Sequence, residues 1–223
     1  HECSSAASDV YKRQAFYQLK DLSAGKLSFS VPTGNFGDAY AGYISKRMGL
    51  PINKIIVATN KNDILDRVFK TGVYKSDIVS KTLSPSMDIQ VASNFERLLF
   101  DLLNNDTKEV RKLMNNLSNK GHFNLEKRVL TRISKDFDSG AVTDNDTIAT
   151  INHFYNEREI VLCPHSAIGV RVAKDFIDTG ETVVSLGTAH PAKFKETVES
   201  ALDTSILIPT ALQNIVEKQE SLR

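Results

Sequence analysis

The chain has 223 residues, 41% of them hydrophobic and 25% charged, with a formal net charge of +1, which is ordinary globular composition with enough length for one large core or two small ones. Charges of both signs are interspersed and no run of about 18 apolar residues occurs, so neither a nucleic-acid binder nor a membrane-spanning or membrane-surface protein is indicated; small-molecule partners are favoured. Cys3 and Cys163 lie far apart in unlike contexts, which gives no disulfide framework and no CxxC metal pair and suits a reducing, cytoplasmic setting.

The chain starts at His1, and Ser4-Ser5-Ala6-Ala7-Ser8-Asp9-Val10-Tyr11-Lys12-Arg13-Gln14 shows small polar residues without a sustained period. Residues 1–14 read as a cloning or sequencing scar and are set aside for the fold. Phe16, Leu19 and Leu22 then fall at helical spacing before Gly25, and Leu27-Ser28-Phe29-Ser30-Val31 is a short apolar run suited to a strand. Thr33-Gly34-Asn35-Phe36-Gly37-Asp38 follows, and a helical pattern runs from Ala39 to Met48.

The order is therefore strand, tight loop and helix start. The first amides of a helix lack partners within it, and that end carries partial positive charge, so a loop with two glycines there can close backbone N–H groups around an anion such as phosphate. The glycines are expected to take the tight, positive-φ conformations that other residues resist. A bare corner between strand and helix is the alternative. The spacing fits neither the nucleotide P-loop nor the three-glycine dinucleotide pattern, so neither ATP nor NAD is implied.

Ile55-Ile56-Val57-Ala58 is the next strand, and Asn62-Asp63 can cap a helix from Ile64 to Lys70 that Gly72 ends. From Thr82 to about Gly140 the period changes. Phe95, Leu98, Leu99 and Leu102, then Val110, Leu113, Met114 and Leu117, then Val129, Ile133 and Phe137 mark amphipathic helices whose stripes face the core. Asp144-Asn145-Asp146 caps a helix through Phe154-Tyr155, Ile160-Val161-Leu162 is a strand, and a helix after Pro164 turns Ile168, Val172, Ala173 and Ile177 inward until Gly180. Val183-Val184-Ser185-Leu186 is a buried strand with Gly187-Thr188-Ala189-His190 at its carboxyl end, and Pro191 precedes a last pair of helices. Strand–helix alternation predicts an α/β fold with a parallel sheet flanked by helices, which binds ligands at the carboxyl ends of its strands.

The string from Ser30 to Asp38 closely resembles the phosphate loop of the pyridoxal-phosphate-dependent threonine synthases. The resemblance continues through residues 54–60, 82–89, 93–100, 164–169 and 188–194, in order. It implies the tryptophan-synthase-β-like fold, incomplete here, as the C-terminal half of a longer enzyme. It divides the chain into a part of the cofactor domain with the phosphate loop (15–81), a helical insertion (82–142), a second part with the pyridine-contact turn (143–199) and a helical tail (200–223).

By that resemblance Gly34, Asn35, Phe36, Gly37 and Asp38 hold the phosphate of pyridoxal 5'-phosphate, and the hydroxyl of Thr188 faces the pyridine nitrogen. Asp38 is expected to cap the following helix with its side chain and to face the phosphate through its amide. The Schiff-base lysine belongs to the N-terminal half; no lysine here sits in its motif, so Lys61, Lys81 and Lys193 are read as solvated or anion-facing, and the chain alone is expected to be inactive. The reaction implied is conversion of O-phospho-L-homoserine and water into L-threonine and phosphate. The alternatives are a phospho-lyase on the same substrate and a non-catalytic remnant that binds phosphorylated ligands.

Arg97 and Lys193 are candidates to reach a substrate phosphate. His165 is read as a helix-start residue and His190 as a support for the Thr188 turn. His153 and His165 match no ligand spacing, so no metal is expected. Cys163, where the family pattern suggests an acidic residue, reads as an inert buried thiol.

Overall fold

A computed structural model describes residues 2–21, 27–178, 180–210 and 212. Its centre is a four-stranded parallel sheet built from β1 (Leu27–Pro32), β2 (Ile52–Thr59), β5 (Phe137–Ala141) and β6 (Thr182–Ser185), in the order β5-β2-β1-β6. β1 lies between β2 and β6, with Val31 opposite Val57 and Ser30 opposite both Ile56 and Ser185. Every residue of β1 is buried, as expected of a central parallel strand covered on both faces.

Side chains alternate across the sheet, and each face has its own cover. Leu27, Phe29 and Val31 of β1, with Ile55 and Val57 of β2, pack into the larger core. That core takes in α2 (Gly37–Arg47), α3 (Ile64–Thr71), α4 (Phe95–Leu102), α5 (Thr107–Lys120) and α6 (Lys127–Asp136) through residues such as Tyr43, Leu65, Leu98, Leu113 and Ile133. On the other face Ile56 and Ala58 meet Ile168 and Val172 of α8 (Pro164–Ile177), which runs beside α7 (Asp144–Arg158). Two serines on that face of β1 are paired: Ser30 Oγ donates to the Gly169 carbonyl at 2.7 Å and Ser28 Oγ to the Glu181 carboxylate at 2.6 Å. α8 reaches the strands closely because of its glycine, since a Cβ on Gly169 would lie 2.9 Å from Pro32 Cγ.

The expected strand at Ile160–Leu162 is not one. α7 ends in Glu159 with a left-handed backbone (φ 56), and Ile160 is half exposed, so this apolar triplet crosses between α7 and α8 outside the sheet. The fourth strand is β5, hidden at the end of a helical stripe. Phe137 continues the four-residue spacing from Ile133, yet α6 stops at Asp136 and Phe137 is extended (φ −122, ψ 149), pairing with Ile55. Sequence period alone assigned Phe137 to a helix because its side chain enters the same core as Ile133.

β6 is half-buried, not buried, because among the described residues it is an edge strand paired with β1 alone. Ile177 is likewise half exposed in the last turn of α8 and does not point inward. β3 (Val73–Lys75) and β4 (His122–Asn124) form a small antiparallel pair beside the helices.

The segment set aside as a scar, residues 1–14, is helical from Glu2 and continuous with the expected helix at Phe16 and Leu19: together they form α1 (Glu2–Leu19), which packs on α2. Its Lys12 side chain is buried along Gly42 and ends at the Asp38 carboxylate. Leu22 and Gly25 lie outside the described residues, as does most of the expected tail beyond α9 (Lys195–Leu202). Among the described residues no helix is long and apolar enough to cross a membrane.

Candidate cofactor and substrate site

The loop after β1 is fixed from three sides. Thr33 N–H extends the β1–β2 pairing by donating to the Ala58 carbonyl at 2.8 Å, and Thr33 Oγ1 donates to the Val31 carbonyl at 2.6 Å. The Asn35 carbonyl accepts from both the amide (3.1 Å) and the Nδ2 (3.0 Å) of Asn94, the residue preceding α4. Because a trans peptide is planar, that anchoring turns the Phe36 N–H to the side opposite α4's start. The first bond inside α2 runs from Tyr40 N–H to the Phe36 carbonyl at 2.9 Å, so the amides of Gly37, Asp38 and Ala39 precede the helical ladder.

The left-handed conformation in this loop belongs to Phe36 (φ 69, ψ 0), not to a glycine. A non-glycine residue there carries a cost of roughly 1–2 kcal/mol. The ring offsets it: Phe36 is 1% exposed and sits among Phe69, Phe95 and Phe137 at centroid distances of 6.1, 5.7 and 5.7 Å. Burying such a side chain contributes about 1.5–3 kcal/mol. Gly34 is needed for closeness instead, because a Cβ there would lie 2.9 Å from the Ser86 carbonyl oxygen.

Asp38 does not cap α2. No side chain caps that helix, and the Asp38 carboxylate accepts from Ser8 and Lys12 of α1. The ammonium on α1 attracts it away from its own helix end.

A buried polar network lies beneath Gly34. Asp88 accepts from Asn60 Nδ2 (2.8 Å), Asn62 Nδ2 (3.0 Å), Thr82 N–H (2.9 Å) and Thr82 Oγ1 (2.6 Å), and Asn60 Nδ2 also lies 2.9 Å from Ser84 Oγ. These bonds fix the ends of the 3-10 turn Pro85–Met87, whose Ser86 and Met87 backbone presses on Gly34. In the sequence, residues 82–89 stand out only for their resemblance to the family. The signal for their role was the cluster of Thr, Ser, Asn and Asp following the end of β2, of which Asn60, Asn62, Thr82 and Ser84 prove buried.

The third wall is the start of α8. Cys163 is its N-cap, with Sγ accepting from Ser166 N–H at 3.4 Å, and Ser166 Oγ accepts from Thr188 N–H at 3.2 Å. Thr188 is exposed just beyond β6. His165 is buried in the first turn of α8, its ring centroid 4.5 Å from that of Phe194. Burial pushes its pKa down to about 4, helped by the Lys193 ammonium and opposed by the Asp88 carboxylate.

His190 caps the 3-10 turn Pro191–Phe194 by accepting from Ala192 N–H at 3.1 Å, and Lys193 Nζ stands 5.5 Å from the Phe194 ring centroid. Arg97 is elsewhere, lining a groove with Tyr40, Phe100 and Met114 between α2, α4 and α5, so Arg97 and Lys193 are not brought together. His153 lies with Phe154 in a depression between α7 and α8, and Lys61 and Lys81 are exposed. The site thus gathers residues 33–38, 82–88, 165–166 and 188 around the carboxyl ends of β1, β2 and β6.

The family model described as threonine synthase, C-terminal, matches residues 166–223. A threonine synthase of Pseudomonas aeruginosa is 46% identical over 196 residues, covering 87% of this chain and 42% of its own length, and one of Saccharomyces cerevisiae is 44% identical with 86% and 41% covered. This chain belongs to the threonine synthase family. Among solved structures, the pyridoxal-phosphate-bound threonine synthase from Brucella melitensis superposes with a TM-score of 0.84 at 46% identity over 88% of this chain and 42% of that one. The yeast threonine synthase reaches 0.89 at 37% identity over 97% and 48%. A fungal L-serine ammonia-lyase from Rhizomucor miehei, at a TM-score of 0.55 and 12% identity over 88% of this chain and 57% of that one, shares the fold alone. The threonine synthase family chain described here spans less than half the length of the curated relatives it matches.

Proposed function

We propose that this chain supplies the phosphate loop and the pyridine-side turn of a pyridoxal-phosphate-dependent threonine synthase, acting on O-phospho-L-homoserine and water to give L-threonine and phosphate. The single observation that carries the reading is the loop of residues 33–38. Its first-turn amides stand free of the helical ladder, and its one strained residue, Phe36, is held in place by a buried ring. Backbone strain maintained by packing at the start of a helix is what a preformed anion cradle requires. The residues present therefore fit the phosphate of the cofactor.

Gly34, Asn35, Phe36, Gly37 and Asp38 would hold that phosphate through their backbone. The Asp38 carboxylate, occupied by Lys12 and Ser8, is partly neutralised beside the incoming dianion. Thr188 is held by its amide on Ser166, which leaves its hydroxyl for the pyridine nitrogen. A hydroxyl there does not enforce a charged ring, as a carboxylate would. When bound, pyridoxal phosphate supplies an electron sink for carbanion chemistry next to the substrate amino group. The lysine that carries the cofactor is assigned to the length of the relatives that this chain does not span, and a cytoplasmic setting suits the free, buried Cys163.

The test is a titration of the chain with pyridoxal phosphate and with pyridoxal, followed by calorimetry and by 31P chemical shift. At least tenfold preference for the phosphorylated form is expected. Equal affinity for the two would remove the cradle from the proposal.

A further inference from the structure

The first turn of α8 carries a group that the fold has no use for. His165 is 5% exposed, and among the described residues neither Nδ1 nor Nε2 has a hydrogen-bond partner. A phenylalanine would stack on Phe194 as well and leave nothing unpaired. Buried polar atoms without partners are rare in native structures because each forfeits its bonds to water. Ser185 Oγ, facing α8 at Gly169, is likewise without a partner among the described residues.

The surroundings select the kind of group that would complete these bonds. α8 is 14 residues long, and its N-terminus directs partial positive charge into this corner. Lys193 adds a full positive charge that disfavours protonation of the imidazole, its Nζ 5.5 Å from the Phe194 ring centroid. Asp88 opposes it, but its carboxylate is already engaged by Asn60, Asn62 and Thr82. An uncharged imidazole N–H under a net positive field suits an anionic oxygen. Phe194, in the 3-10 turn Pro191–Phe194, covers the ring and would have to move aside.

We propose that His165 is a ligand-contacting residue of this site, donating from its imidazole to an oxygen of a phosphate monoester with Lys193 as the charge partner, once the turn carrying Phe194 swings off the ring. The proposal rests on the site reading given above and deepens it. A phosphate monoester can come from the cofactor or from the substrate, and the two sources are separable by experiment.

The chain, labelled with 15N at histidine, is titrated in separate samples with pyridoxal phosphate, O-phospho-L-homoserine and inorganic phosphate, and the His165 ring nitrogens are observed by long-range 1H–15N correlation. A bound phosphate monoester is expected to move one His165 nitrogen by several ppm, and the compound that does so identifies the source. His165→Phe is expected to melt higher than the parent chain while binding that compound at least tenfold more weakly. His165→Gln should recover part of the affinity.

Unchanged His165 shifts in a chain saturated with both phosphomonoesters would overturn the proposal, whatever the variants do. Unaltered affinity in His165→Phe would overturn it as well. Failure of the cradle reads differently: pyridoxal phosphate and pyridoxal would bind alike while O-phospho-L-homoserine still moved the His165 signal. If no phosphomonoester binds the chain at all, both readings fall.

Discussion

Gly34 and Ser86 are in such close approach that a Cβ on Gly34 would stand 2.9 Å from the Ser86 carbonyl oxygen and 3.3 Å from Met87 Cα. The obstacle is backbone, so it cannot rotate away. It is also stiff, because the turn beneath it is flanked by the buried bonds of Thr82, Ser84 and Asp88 to Asn60. Gly34→Ala should therefore displace the loop, with overpacking of about 1–3 kcal/mol. Urea denaturation is expected to show that loss, and the preference for pyridoxal phosphate over pyridoxal should fall with it. Wild-type stability in Gly34→Ala would mean that the 82–88 segment yields.

Phe36 offers a test in which glycine outperforms alanine. Phe36→Ala removes a ring packed on Phe69, Phe95 and Phe137 and should cost about 3–5 kcal/mol. Phe36→Gly loses the same ring but relieves the left-handed backbone at φ 69, so it should be more stable than the alanine variant by roughly 1 kcal/mol. Denaturation midpoints of the pair decide the point. An alanine variant equal to or better than the glycine variant would show that the turn has relaxed out of the left-handed region.

The loop's place in the chain was legible because strand, turn and helix follow one another directly between Leu27 and Arg47. Its conformation was not, because φ depends on which residue the surrounding core can hold, and the anchor for Phe36 comes from Phe69, Phe95 and Phe137, far along the chain. The same limit explains β5. Helical spacing persists through Phe137, and only pairing with β2 reveals the change. Ile160–Leu162 fails in the opposite way, since a short apolar run satisfies the strand pattern although it pairs with no strand among the described residues. Asp38 at a helix start suggested a cap until Lys12, on a segment with no readable period, supplied a stronger partner. His165 was legible as a helix-start residue, but its contact with Phe194 was not, nor were the bonds of Asp88 to Asn60 and Asn62, because those contacts join separate segments.

His165 makes stability depend on pH with a definite sign. Its imidazole holds a proton up to about 6.5 when unfolded but only to about 4 when folded, because burial and Lys193 disfavour the charge. Between those values the unfolded chain binds more protons, so stability is full above 6.5 and is lost as pH falls toward 4. A shift of this size corresponds to roughly 3 kcal/mol across the window. His165→Phe has no such proton to bind. Denaturation at pH 7 and at pH 4.5 should show the parent chain losing about 2 kcal/mol more than the variant. Parallel losses in both would place the imidazole in water.

Thr188 separates chemistry from folding more cleanly than its sequence suggested. A strand-end hydroxyl bonded to nearby backbone would contribute on the order of 1 kcal/mol, and its removal would lower stability while leaving function alone. In the structure the link between Thr188 and the rest of the site is its amide, which donates to Ser166 Oγ at 3.2 Å, and the residue itself is exposed. Thr188→Val preserves that amide and nearly preserves shape, so the chain should melt within about 2 °C of the parent, as expected for a surface change within ±0.5 kcal/mol. Ser166→Ala, which removes the acceptor, should instead loosen the turn and lower the melting point. In the enzyme assembled with the part of the family sequence that this chain does not span, Thr188→Val should then reduce threonine formation at least tenfold with no loss of folded protein. Normal turnover in Thr188→Val, together with a lowered melting point, would make the hydroxyl structural and take Thr188 out of the site.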